Sequence, residues 1–104
     1  MSFAVCRLRS GDRWLFREML ALFGQVFDDP ESYGSAAPGD AYIDSRLADP
    51  TFVALTAGGP GQLVGALAAY ELKKFEQERS EFYIYDLAVV EQARRQGVAT
   101  ALIG

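Results

Sequence analysis

The chain contains no histidine and a single cysteine, Cys6. Without histidine, neither a Ser-His-Asp nor a Cys-His hydrolase centre can be assembled within it, and a Cys/His metal site is excluded. The commonest general base is also missing, so proton transfer falls to Asp, Glu, Tyr, the thiol or water. One cysteine permits no internal disulfide. Basic residues are outnumbered, with 10 Lys and Arg against 14 Asp and Glu, for a net charge of −4. Contacts to a nucleic-acid backbone need clustered Lys and Arg, so no nucleic-acid partner is expected. A cationic substrate suits this balance, as does acidity for solubility alone. No apolar run approaches the roughly 20 residues that cross a bilayer, so no membrane partner is expected. The first ten residues, MSFAVCRLRS, lack a charged segment followed by a long apolar one. No signal peptide is therefore expected, and the expected location is cytoplasmic.

What is present suits one globular domain over residues 1–104. Half of the residues are hydrophobic and 12% are aromatic, which is not the composition of a disordered chain. The length allows one domain with a modest core. Phe3–Arg9 alternates as a first strand. Asp12 is the expected N-cap of a long amphipathic helix, with Phe16, Met19, Leu20, Phe23, Val26 and Phe27 at helical spacing. The aromatic stripe of this helix reads as core. Asp28-Asp29-Pro30 ends it. A Gly-, Ser-, Ala- and Pro-rich loop follows, then Asp40 as cap of a short helix, Ala41–Leu47, stopped by Asp49-Pro50. A hairpin comes next: Thr51–Ala57, a turn over Gly58-Gly59-Pro60-Gly61, and Gln62–Leu72. Lys73–Arg79 is a charged connection to a fourth strand, Glu81–Val89. The expected class is α/β (α+β), in the order β-α-α-β-β-β-α.

The end of the chain carries the most chemistry. A β-branched and aromatic run, SEFYIYDLAVV from Ser80, reads as a buried strand that feeds a basic, glycine-containing loop and a helix from Gly97 onward. Arg94-x-x-Gly97-x-Ala99 matches Arg/Gln-x-x-Gly-x-Gly/Ala. Gly97 lets backbone approach a ligand closely, and the N–H groups of Val98, Ala99 and Thr100 would face an anion at the helix start. Arg94 and Arg95 would add charge. An ordinary strand–turn–helix with a solvated Arg pair is the alternative for the motif taken alone.

With Leu87-Ala88-Val89 before the loop, the chain resembles the N-terminal part of a GNAT-superfamily N-acetyltransferase. The wording from Leu63 to Tyr70, Lys74-Phe75-Glu76-Gln77, Arg79-Ser80-Glu81 and Tyr83 to Val89 is similar to the type I aminoglycoside 3-N-acetyltransferases. Leu22-Phe23-Gly24 and Phe52-Val53-Ala54-Leu55 add to that likeness. The resemblance implies a GNAT fold and acetyl-CoA as cosubstrate, with no metal. Its pyrophosphate would meet backbone N–H groups of Gln96, Gly97, Val98, Ala99 and Thr100, flanked by Arg94 and Arg95. Its pantetheine arm would pair with Leu87, Ala88 and Val89 like an added strand. A backbone N–H in that segment would polarise the acetyl carbonyl. The acceptor amine, on an aminoglycoside and at its 3-amino position, would attack directly in a ternary complex. Cys6 then has no nucleophilic role and reads as a small apolar residue of the first strand. Transfer to such an antibiotic would confer resistance.

An amine must shed its proton to attack, so an acceptor is needed. Asp86, Glu81 and Tyr83 are the candidates. Plain alternation puts Glu81, Tyr83 and Tyr85 on one face and Asp86 on the other. A bulge, common in the superfamily, would re-aim the residues beyond it. The acidic stretch Asp28, Asp29 and Glu31, with Tyr33, lies where the superfamily forms its acceptor site, and Phe75 and Glu76 are similarly placed. Carboxylates and aromatic faces suit a polyamine sugar, though solvated loop ends explain them as well. Related enzymes continue past the third helix into further strands and a helix. The fourth strand here would lack that neighbour, so a homodimer with exchanged or shared strands is expected to cover it. A GNAT enzyme for another small amine or a peptide N-terminus is the alternative, as is a fragment without turnover.

Overall fold

The computed structural model describes residues 4–29, 31, 33, 38–59, 61–94 and 96–103. Its elements follow the expected order: β1 (Val5–Arg7), α1 (Arg13–Val26), α2 (Asp40–Ala48), β2 (Phe52–Gly59), β3 (Gln62–Lys73), β4 (Ser80–Val89), a single 3-10 turn (Glu91–Ala93) and α3 (Val98–Ile103). The strands form one sheet in the order β1-β2-β3-β4, and every neighbouring pair is antiparallel.

Helices cover both faces of the sheet. On one face Phe16, Met19 and Phe23 of α1 and Ile43 of α2 pack on Phe52, Ala54, Ala66 and Ala88. On the other, Val98 and Leu102 of α3 and Ala93 of the 3-10 turn pack on Ala57, Leu67 and Ala69. The strands supply alanines and the helices supply the bulk, so the layers interlock at close range. Gly65 takes this furthest. A Cβ there would sit 2.7 Å from Val98 Cγ1 and 3.2 Å from the Ala88 carbonyl oxygen. α3 thus rests directly on the backbone of β3. A helix of six residues is marginal alone, and this packing is what holds it.

Several local expectations change. Asp12 stands at the N-cap position, yet its side chain makes no capping bond; Oδ2 instead accepts from the Arg9 N–H at 2.7 Å. Gly39 is the N-cap of α2, and Asp40 is a first-turn residue whose charge complements the helix dipole. Asp40 and Asp44 also tie α2 to α1: Arg17 Nη2 reaches Asp40 Oδ1 at 2.6 Å, and Arg13 Nε reaches Asp44 Oδ1 at 2.7 Å. β1 is shorter than expected and exposed throughout, including Cys6, because it is an edge strand that neither helical layer covers. Gly58 and Gly59 extend β2 rather than forming the turn, and Pro60 lies outside the described residues. β4 is buried only towards its end. Phe82, Tyr83, Ile84 and Tyr85 stay 48–72% exposed, since among the described residues β4 is an edge strand with β3 as its one neighbour.

Two outcomes follow from these contacts. Gly65→Val is expected to lower Tm by roughly 5–20 °C, because overpacking costs about 1–3 kcal/mol in a domain of this size; an unchanged thermal melt would show that α3 is not seated on β3. The Asp44 carboxyl is held below its ordinary value, first by its hydrogen bond with Arg13. That pair adds stability above the unfolded carboxylate value and loses it as pH falls through the folded one. The Tm difference between wild type and Arg13→Gln should therefore narrow below about pH 4. A difference independent of pH would contradict the pairing.

Candidate active site

One irregularity in β4 builds the site. Ala68 pairs with Asp86, but the next residue, Ala69, pairs with Ile84. Tyr85 is the extra residue of a β-bulge. Its effect is on direction: a side chain's face reverses at each step along a regular strand, and an inserted residue resets the count. Tyr83 pairs with Tyr70 and Asp86 with Ala68, and both partners belong to the face covered by α1 and α2. Glu81, paired with Leu72, falls on that face too. The bulge thus places all three candidate acid–base residues on one side, where plain alternation separates them.

That face opens into a groove of ≈ 1020 Å³ between the helices and the β3–β4 hairpin. α1 gives it an apolar wall of Phe16, Met19, Leu20 and Phe23; α2 gives Tyr42 and Arg46. Tyr70 and Glu71 enter from β3, and Tyr83, Tyr85 and Asp86 from β4. Tyr33 reaches the same point from the segment between the helices, its Oη donating to Asp86 Oδ2 at 3.0 Å. Its ring packs on Phe23 and Phe27, with centroids 5.9 Å from each. The Tyr33 hydroxyl is held above its ordinary pKa, first by desolvation, then by the hydrogen bond and charge of Asp86, and last by the charge of Asp29.

Arg46, Tyr42 and Tyr70 are groove residues that sequence reasoning missed. The Arg46 guanidinium lies 5.8 Å from the Tyr42 ring centroid and 3.4 Å from Asp49 Oδ2. Its pKa is raised, first by hydrogen bonding with Tyr70 and further by the charges around it, with partial desolvation opposing. Nothing marked it in sequence, because an Arg in the last turn of a short helix is ordinary dipole compensation.

The other expected site residues are distributed differently. Glu81 pairs with Lys74 at 3.2 Å and Arg79 at 3.5 Å, at the base of the β3–β4 connection. Phe75 in that connection is fully exposed, and Glu76 pairs with Lys74 at 3.5 Å; neither lines the groove. Asp28 leaves α1 with φ 53°, and the Asp29 N–H is bonded to the Gly24 carbonyl at 2.9 Å. Glu31 is exposed.

The phosphate-loop candidates do converge. Gly97 has φ 79°, which strains any side chain, and a Cβ there would project into open space. Its carbonyl accepts the Ala101 N–H at 2.9 Å and so starts α3. The N–H groups of the first turn of such a helix have no acceptor within it. Val89, Ala93, Arg94 and Gly97 through Thr100 border a hollow of ≈ 230 Å³. Arg94 folds across its edge, with Nε donating to the Val89 carbonyl at 3.2 Å. Gln96 is turned back onto the Gln92 carbonyl at 3.2 Å. Arg95 lies outside the described residues. Leu87, Ala88 and Val89 lead into the hollow on a strand with one hydrogen-bonded neighbour among the described residues. Half of their backbone groups therefore face outward without a ladder partner. Together, these donors and this free edge fit a pyrophosphate followed by an extended amide chain.

Known proteins share this fold. The model of the acetyltransferase (GNAT) family matches residues 15–104. An aminoglycoside acetyltransferase of known structure, from an uncultured soil metagenomic sample, is 52% identical with a TM-score of 0.94. The match covers 99% of this chain and 68% of that one. A second, also from an uncultured soil metagenomic sample and solved with trehalose and with sisomicin, is 31% identical with a TM-score of 0.85. There the match covers 97% of this chain and 64% of the other, so this chain spans under two thirds of that length. A predicted acetyltransferase from Clostridium acetobutylicum, solved with acetyl-CoA, shares the fold at 16% identity and a TM-score of 0.65, over 98% of this chain and 69% of its own. No curated protein sequence matches the chain significantly. With a family match over most of its length and these structural relatives, the chain belongs to the acetyltransferase (GNAT) family.

Proposed function

We propose that this chain carries the cofactor loop and acceptor groove of an aminoglycoside N-acetyltransferase that acts at the 3-amino position. The observation that carries this reading is the placement of Asp86: it lies on the groove face, directly before the Leu87–Val89 edge and within one strand of the Gly97 hollow. GNAT acetyltransferases use acetyl-CoA. Here its pyrophosphate is assigned to the N–H groups of Gln96 through Thr100, with Arg94 beside them and Arg95, outside the described residues, given the same role from the sequence motif. Its amide arm is assigned to the outer edge of Leu87, Ala88 and Val89. A resistance role, a cationic antibiotic as partner and action inside the cell belong to this same reading.

The acceptor enters the groove with its amine at Asp86. Aromatic faces from Tyr42, Tyr70, Tyr83 and Tyr85 flank it and suit a cationic, ring-built substrate. The amine gives a proton to the Asp86 carboxylate, and its nitrogen attacks the thioester carbonyl carbon. A C–N bond forms and the C–S bond breaks; the thiolate leaves and takes up the second proton, which the nitrogen sheds as it becomes an amide. A backbone N–H of the Leu87–Val89 edge stabilises the oxyanion on the way. No covalent enzyme intermediate is required, consistent with a Cys6 that lies on the opposite edge strand of the sheet.

Gly97→Asp combined with Arg94→Glu places negative charge and a strained side chain in the hollow. It should weaken acetyl-CoA binding by at least about 100-fold in calorimetry, the size expected for losing two charge-assisted contacts. Binding within threefold of wild type would place the phosphates elsewhere. Asp86→Asn should leave acetyl-CoA binding unchanged and slow thiol release with gentamicin-type acceptors by about 10²–10⁴-fold. A variant as fast as wild type would remove Asp86 from the proton transfer. Turnover with simple amines but none with aminoglycosides would reassign the acceptor.

A further inference from the structure

Resting on Asp86 as the proton acceptor, we propose that Tyr33 is its positioning residue, fixing the carboxylate so that Oδ1 alone meets the incoming amine. The two residues are 53 positions apart in sequence, and their contact is a single hydrogen bond of 3.0 Å from Tyr33 Oη to Asp86 Oδ2. A carboxylate at the rim of an open groove rotates about its last torsion, which is broad and shallow in energy. One oxygen pinned by a donor removes that freedom and leaves a defined lone-pair direction on the other.

Tyr33 is built to supply such a donor. Its ring is gripped by Phe23 and Phe27, both at 5.9 Å, and those rings stack on each other at 5.8 Å with an interplanar angle of 4°. Aromatic packing on the end of α1 therefore sets where the hydroxyl stands, and Asp86 receives a donor that is already in place. Desolvation and the negative field of Asp86 and Asp29 keep that hydroxyl protonated.

The surroundings leave few rivals for this role. α1 offers only apolar side chains to the groove wall, Phe16, Met19, Leu20 and Phe23. From α2, Arg46 is engaged with Asp49, and Tyr42 lies against Arg46. From β3, Tyr70 faces the Tyr85 ring edge-on at 5.2 Å, and Glu71 is a second acid. From β4, Tyr83 stands opposite Tyr70 in the register, and the side-chain hydrogen bond that Asp86 receives comes from Tyr33 Oη.

A mutant cycle tests the assignment. Tyr33→Phe keeps the ring and removes only the donor, so the melting temperature should stay close to wild type. It should lower kcat about tenfold, the usual worth of a hydrogen bond to a charged group, while KM for the amine changes less than about twofold. In an Asp86→Asn background the same substitution should have almost no further effect. An equal loss in both backgrounds, or none in the wild type, overturns the proposal. Wild-type turnover by Asp86→Asn itself overturns the proton-acceptor reading on which the proposal rests, which separates the two failures. A second arm needs no turnover. The phenolate absorbance lost between wild type and Tyr33→Phe isolates the Tyr33 titration. Asp86→Asn should shift that titration to lower pH, because the negative charge that raises it is gone and only a neutral amide oxygen is left to accept. A titration that does not move shows that the contact is absent and overturns the proposal.

Discussion

The bulge at Tyr85 is the constraint on which the rest of the site depends. A regular β4 puts either Tyr83 or Asp86 in the acceptor groove, never both. The extra residue puts both there, and it leaves Leu87 and Val89 packed with the core under α3. One strand can then serve two ligand parts: side chains face the amine on one side, while outward backbone groups run along the edge towards the cofactor loop. A bulge also increases local twist and ends regular pairing. That suits a strand whose first half is exposed and whose second half is core.

The same economy of space explains the phosphate hollow. Its floor is set by how near α3 comes to the sheet, and that distance is set by Gly65 and the alanines around it. A larger residue on β3 would lift the N-terminus of α3 away from Val89 and open the hollow at its base. Arg94 closes one edge by bonding to the Val89 carbonyl, which commits its guanidinium to the strand end as well as to any anion there. The shape of this hollow is thus a packing property of β3, two elements away in sequence from the loop itself.

How much of this was legible in the sequence divides by the range of the interaction responsible. Period and punctuation are local, so the element order, the α1 core stripe and the Arg94–Ala99 loop all read directly. Asp12 stands at the expected N-cap position, although its side chain bonds to Arg9 instead; the Asp40 cap moves to Gly39, because a short polar side chain has more than one backbone or ionic partner within reach and the choice depends on neighbours elsewhere in the chain. The bulge was open as a possibility, but no local rule places it at Tyr85; cross-strand register decides that. Arg46 and Tyr70 escaped notice for a different reason. Each looks ordinary on its own element, and only the fold brings them across from Asp86. Phe75 and Glu76 show the converse, a suggestive pair that sits past the end of the groove.

Arg46 bears on whether a cationic acceptor fits this groove at all. A bare guanidinium on the wall would repel a polyamine by about 1 kcal/mol or more at short range, enough to matter for affinity. Asp49 Oδ2 at 3.4 Å offsets that charge, and the Tyr42 ring lies 5.8 Å from the guanidinium. The groove is therefore polarised without being positive. Its acidic end at Asp86 attracts an amine, and its Arg46 end offers N–H donors suited to hydroxyl oxygens. On the proposed function, a sugar that carries both groups would engage both ends, whereas a simple alkylamine would engage only the Asp86 end. An acceptor with both amine and hydroxyl groups would then be selected by the placement of these two side chains rather than by total negative charge. That is why the chain's net charge of −4 says so little about its substrate.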